Sequence, residues 1–275
     1  MFRIFRRIRG DILANTKANS YALYAAGELV LVVVGILIAL QINNWNEERI
    51  EQNEIREYAL SLSAAIERDM EMLLPVEMQI IASIRQSEEV ANYLRHRALG
   101  ELDNAELFFL STHNGYRPYA WNRAALEQLK SAGGLRQMRN KRLAERISDY
   151  DALTQHLDQD YREDEESARD MFDLTNRLVD LNYDIEGLKE YLSWDDGFGP
   201  EYIEERITRF RETGLFERMQ KMQKPLLSQD LAEFRHLANM HRKFAMSAEA
   251  RPDIELPRLR QFAAEIQALI EEEYR

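Results

Sequence analysis

The chain has 275 residues, 45% hydrophobic and 31% charged, with eleven glycines, six prolines and no cysteine. That composition excludes a collagen-like repeat, a disulfide scaffold and a thiolate-ligated zinc or iron–sulfur protein, and a chain so poor in breakers and rich in charge reads as helical. A formal charge of -12 argues against nucleic acid as a partner, because such affinity rests on Lys and Arg neutralising phosphates.

The first residues, MFRIFRRIRGDI, set Phe2, Phe5, Ile8 and Ile12 at helical spacing with Arg3, Arg6, Arg7 and Arg9 between them. Two readings stand: a short amphipathic helix lying on the anionic inner leaflet, each Arg worth ~1 kcal/mol there, or a disordered basic start that only sets topology. Residues 21–45, YALYAAGELVLVVVGILIALQINNW, follow with Glu28 as their only charge. At ~1.5 Å per residue, Tyr21 to Ile42 spans roughly 33 Å, close to the ~30 Å hydrocarbon core of a bilayer. Tyr21, Tyr24 and Trp45 fall where aromatic belts sit. A soluble core helix fits poorly, since Leu29 to Val34 is Leu and Val on every face.

Basic residues precede the span and Glu47, Glu48 and Glu51 follow it, so the N-terminus is expected in the cytoplasm and the body outside. A cleavable signal peptide shares the basic start and apolar run. Ile38-Ala39-Leu40-Gln41 offers no small-x-small cleavage site, which favours an uncleaved anchor. Five basic and two acidic residues lie before Glu47, which leaves a strongly acidic body.

Beyond Trp45, Ile55, Tyr58, Leu62, Ile66 and Leu73 mark one buried face, and residues 46–74 are predicted as a stalk helix continuing the span. Pro75 predicts a bend or turn, then a second helix to about Ala98, closed by Gly100. A short helix is predicted over 101–112, a loop at HNGYRPY, and a helix capped by Asn122 that stops at Gly133-Gly134. Residues 140–192 read as a helix or broken pair, with Leu143, Ile147, Tyr150, Leu157, Tyr161, Ala168, Met171, Leu178, Leu181, Ile185 and Leu188 inward and a solvated acidic patch at Asp158 to Glu166. WDDGFGP, 194–200, is a loop. Helices are predicted at 200–212, 215–223, 228–248 from a Ser228 cap, and 257–274.

The block GELVLVVVGILIALQINNWNEER, residues 27–49, resembles a family of uncharacterised single-pass membrane proteins common in Bacteroidota and other aquatic bacteria. The shared features are a basic start, Gly27-Glu28, Gly35 within the apolar run, and Gln41 to Glu47. Ala125 to Gly133 resembles a second family segment that carries an aromatic at the position of Leu126 and Ser at that of Ala132. The resemblance implies location and architecture and brings no catalytic residue.

Glu28 lies about seven residues inside the cytoplasmic boundary, where charge is costly. It reads as a polar contact with another membrane helix, as a protonatable site, or as a group reached by headgroup water. Gly35 and Ala39 form a small-xxx-small pair, and Gln41, Asn43 and Asn44 offer amides for a helix–helix interface.

The chain lacks a Gly-rich phosphate loop, a GxSxG elbow and HExxH. Glu233 and His236 match one half of a di-iron Glu-x-x-His motif, which needs a second copy. His236 and His241 are about 140° apart on a helix, poor for shared ligation. Asp195-Asp196-Gly197 and Asp158, Asp160, Asp164 lack the EF-hand pattern. Trp121, Trp194, Tyr116 and Tyr119 flank loops where packing or a groove is equally reasonable.

The sequence therefore predicts an all-α protein: a cytoplasmic basic segment (1–20), a transmembrane helix (21–45) and an elongated extracytoplasmic helical bundle (46–275) in the periplasm of a bacterial inner membrane. It predicts a non-enzymatic sensor, adaptor or scaffold without cofactor or metal, its partners the lipid bilayer and a second copy or another membrane protein. The alternative is a single-span subunit of a proton-coupled complex, with Glu28 as its protonatable residue.

Overall fold

The computed structural model describes residues 16–111, 119–188 and 209–274, and all secondary structure among them is helical. They fall into two compact units, Met1–Glu57 and Tyr58–Arg275. Helix α1, Thr16–His96, contributes to both.

In the first unit, α1 carries the apolar run with an 18-residue window of mean hydropathy 2.4 and none of it buried. This helix is long and apolar enough to cross a bilayer. The basic segment with Arg3, Arg6, Arg7 and Arg9 lies outside the described residues.

In the second unit, the buried positions of α1 include Ala59, Leu62, Ile66, Asp69, Leu73, Ile80, Ile84, Ser87, Ala91 and Leu94, with Ala65, Ala82, Ser83, Gln86, Val90 and Tyr93 buried beside them. The first series, in steps of four, three and seven, is a heptad seam, the pattern that lets one helix stripe pack along its neighbours. Tyr58 is only half-buried, and its neighbour Ala59 holds the core position.

Pro75 sits inside α1 without ending it, so the two predicted helices are one. Pro cannot donate to the Glu71 carbonyl, which removes one hydrogen bond. Leu73 and Ile80, fully or almost fully buried on either side, each contribute about 1.5–3 kcal/mol by leaving water and offset that loss. The helix stops at His96, ahead of a 3₁₀ turn at Leu99–Glu101 that contains Gly100. Arg235 donates to the Leu94 and Arg97 carbonyls, satisfying groups that the helix end leaves over.

Helix α2 is Asn104–Ser111, α3 Ala124–Ser131 and α4 Gly134–Gln137. Asn122 does not cap α3. Arg123 holds the cap position without a side-chain bond, while the Asn122 N–H donates to Asp69 Oδ1 at 3.3 Å. Between α3 and α4 both glycines are required. Gly133 has φ 72°, a left-handed backbone, and a Cβ on Gly134 would lie 2.5 Å from Leu129 Cδ1.

Helix α5, Lys141–Leu178, begins at Asn140, whose side chain accepts from the Leu143 N–H. Its inward series is Leu143, Ile147, Tyr150, Thr154, Leu157, Tyr161, Asp164, Ala168, Met171, Thr175 and Leu178, again in alternating fours and threes. The helix ends fourteen residues short of Leu192, leaving Leu181, Ile185 and Leu188 outside it. Asn104 explains the stop: it accepts from the Asp180 N–H and donates to the Asp180 carbonyl, drawing that stretch out of the helix.

Residues 209–212 are helical, and α6 is Gly214–Lys221. Helix α7, Leu231–Ala248, is capped by Asp230, which accepts from the Ala232 N–H. Ser228, predicted as the cap, instead donates to Glu233 and accepts from the Asp230 N–H. A π-turn, Arg251–Glu255, leads into α8, Leu256–Tyr274.

Both α7 and α8 pack on α5. Arg242 pairs with Glu88 and Arg235 reaches Leu94, so α7 runs antiparallel to α1, and Arg260 to Glu77 ties α8 to α1. The second unit is thus built around α1, α5, α7 and α8.

Candidate functional sites: the span and the buried polar centres

Along the span, Leu29, Leu31, Leu37 and Ile42 are 59–73% exposed, against 0–3% for core residues such as Leu73 and Ile80. Glu28, Gly35, Ala39, Gln41, Asn43 and Asn44 are all exposed, and a Cβ at Gly35 would meet nothing within 4 Å. At about 100° per residue, Glu28, Gly35, Ala39 and Asn43 fall within roughly 80° of one another. Gln41 and Asn44 stand on the other side, so the three amides do not form one face. Asn43 donates to Glu47 Oε1 at 2.7 Å, one turn on.

In the body, the polar groups of interest occupy positions where the heptad pattern calls for apolar ones. Asp69 on α1 is 2% exposed. Its Oδ1 accepts from the Tyr119 hydroxyl at 2.8 Å and the Asn122 N–H at 3.3 Å, and Oδ2 accepts from Tyr150 on α5 at 3.4 Å. Burial pushes the Asp69 carboxyl above its ordinary value, and these donors pull it back. The Tyr119 hydroxyl is pushed up to about 12, by burial first and then by its bond to Asp69, and Tyr150 is pushed up by the same causes. Both phenols therefore stay protonated as donors. The centre ties α1, α5 and the segment before α3 together and offers no free base or nucleophile.

Beside it, Trp121 donates to Asp158 Oδ1 at 3.0 Å, Arg123 pairs with the other oxygen at 2.7 Å, and the Tyr119 and Trp121 rings meet edge to face. The adjoining cavity, between Leu73, Ile80, Trp121 and Leu157, measures about 30 Å³. That admits a water or two and no larger ligand, so packing is what these two aromatics do. Tyr116, Trp194 and the 194–200 loop with Asp195, Asp196 and Gly197 lie outside the described residues.

The acidic patch on α5 is not uniformly solvated. Asp158 binds Trp121 and Arg123, and Asp160 turns to His156 at 3.5 Å. Asp164 is buried against Arg251 at 3.0 Å. A helix spreads these three carboxylates to three neighbours, which disposes of a calcium loop. Glu233 is engaged by Ser228, and His236 is exposed.

His241 on α7 is fully buried, with Nδ1 3.4 Å from Ser87 Oγ on α1. Burial alone lowers its pKa to about 3, so the imidazole is neutral. In the sequence, His241 stands out only by its spacing from His236, as a possible metal ligand. The missed signal was its place between Leu237, Ala238, Phe244 and Ala245, all core positions of α7.

Between α5 and α7 lies a groove of about 370 Å³ lined by Glu163, Glu166, Asp170, Met171, Met240 and Lys243. Its lining is predominantly acidic.

Residues 28–109 match the model of a family of unknown function, DUF6090. The resemblance to an uncharacterised family is met over that stretch, which starts at Glu28 and ends in α2. No curated protein and no solved structure matches the chain.

Proposed function

We propose that this protein is a non-enzymatic sensor, adaptor or scaffold held in the bacterial inner membrane by α1. In this reading the N-terminus lies in the cytoplasm, and residues 46–275 form a periplasmic module that binds a protein partner or small ligand. One observation carries the reading: the apolar residues from Leu29 to Ile42 are exposed, while the same helix is packed at heptad positions from Ala59 to Leu94. An apolar surface exposed on every face of a helix needs hydrocarbon around it. The acidic groove between α5 and α7 supports a binding role and favours a cationic ligand or basic peptide segment. Deleting residues 76–275 should abolish partner capture from detergent-solubilised membranes and leave insertion intact. Capture by the remaining stub would contradict the proposal.

A second reading, a single-span subunit of a proton-coupled complex, draws on Glu28 sharing a helix face with Gly35, Ala39 and Asn43. On that account Glu28→Gln leaves the amount in the membrane unchanged and fails to complement a deletion strain. Full complementation removes it.

A further inference from the structure

Where α5 passes the π-turn, His156, Asp160 and Glu255 converge, with one possible ligand atom from each within 4.8 Å of the other two. His156 and Asp160 are four residues apart and therefore on one face of α5. Glu255 is the last residue of the π-turn, where the backbone departs from α-helical register, a distortion that recurs at functional sites. His156 Nε2 lies 3.5 Å from Asp160 Oδ2 and 3.4 Å from Glu255 Oε1.

Those separations are informative. Zinc holds His nitrogen and carboxylate oxygen at about 2.0–2.2 Å in tetrahedral geometry, and the edge of such a tetrahedron is about 3.3–3.6 Å. The two distances from His156 match that edge, and the Asp160 and Glu255 oxygens lie within 4.8 Å of each other, so a metal ion can be reached by all three with a small adjustment. A second observation is independent of spacing. Glu255 Oε2 is buried with no donor among the described residues, and the carboxyl faces that of Asp160. Arg251, the guanidinium whose charge favours Glu255, spends its two terminal nitrogens on Asp164 at 3.0 Å and on the Ser247 and Asp160 carbonyls. Burial and the neighbouring Asp160 carboxylate disfavour the charged Glu255, Arg251 and His156 offset this only in part, and a divalent cation would complete the counter-charge of the two carboxylates.

We propose that His156, Asp160 and Glu255 form a binding site for a divalent transition metal of the zinc type. Three protein ligands leave a fourth position facing solvent on the side of His156, whose side chain is 54% exposed. The metal would join α5 to the π-turn. An imidazole ligand favours zinc-like ions over magnesium and calcium, which prefer oxygen alone.

The test uses the untagged full chain in detergent, stripped with chelator and titrated with Zn2+ by calorimetry, with Co2+ absorption reporting geometry. The chain has no cysteine, so thiolates cannot confuse the readout. One Zn2+ per chain is expected, with tetrahedral Co2+ bands. His156→Ala and Glu255→Gln should each weaken binding at least tenfold, while His236→Ala leaves it unchanged. Because His156 is half exposed, its replacement spares the core, and an unchanged melting curve of the metal-free variant checks this. No saturable Zn2+ uptake overturns the proposal. So does uptake that survives both substitutions or falls equally with His236→Ala.

Discussion

Asp164 and Arg251 meet at 3.0 Å with 6% and 5% of their side chains exposed, an ion pair closed inside the body between α5 and the π-turn. Arg251 also donates to the Ser247 carbonyl at 2.7 Å and the Asp160 carbonyl at 3.3 Å, so the guanidinium holds three backbone and side-chain groups in register. Removing one partner strands the other charge, and breaking such buried pairs costs about 3–5 kcal/mol. Asp164→Leu and Arg251→Met should each destabilise the fold by that order in urea unfolding. The double variant should cost much less than the two together. Additive losses would mean the pair is not coupled.

His241 sets an acid limit. Its folded pKa, about 3, lies below the ordinary 6.5, so the unfolded chain binds the extra proton between those values. Stability from this group is complete above pH 6.5 and is lost as pH falls toward 3, by up to about 1.4 kcal/mol per pH unit. Urea midpoints measured from pH 7 to pH 4 should fall less steeply for His241→Leu than for the wild type. Equal slopes would contradict a buried neutral imidazole.

Asp69 has the opposite sign. Its folded carboxyl is raised, so the folded state holds the proton more tightly, and stability is lost as pH rises from the ordinary 3.8 through the folded value. Relative to Asp69→Asn, the wild type should therefore weaken as pH climbs through that window. Tyr119→Phe removes the shortest donor to the carboxylate, at 2.8 Å, and should cost about 1.5–3 kcal/mol at pH 7. Tyr150→Phe, whose bond is 3.4 Å, should cost less.

Gly134→Ala places a methyl group 2.5 Å from Leu129 Cδ1 and 3.0 Å from the Leu129 carbonyl. Leu129 is fully buried, so the clash has no outlet, and a loss of about 1–3 kcal/mol is expected in thermal or urea unfolding. A neutral result would show that α3 and α4 shift freely against each other.

The helical class and the inward faces of α1 and α5 were legible because steps of three and four survive along both helices. What the pattern hid was polar occupancy: Asp69, Ser87, Thr154 and Asp164 sit on the same seams as Leu and Ile, and an apolar count passes over them. Pro75 misled because local backbone cost was weighed without the burial of Leu73 and Ile80 around it. Asn122 and Ser228 misled for a related reason: each finds a different partner, Asp69 and Glu233, one of them distant in sequence. The cluster of His156, Asp160 and Glu255 joins residues almost a hundred positions apart, and Glu255 reaches it through a π-turn that no residue spacing announced.

The central claim is that α1 anchors the chain in a membrane with its body on the outer side. The direct test is alkaline carbonate extraction of cell membranes, followed by protease treatment of intact spheroplasts. The account predicts that the full chain stays in the membrane pellet and that external protease digests the body, leaving a protected N-terminal fragment. Release into the carbonate supernatant, or a body untouched until the spheroplasts are lysed, would contradict it.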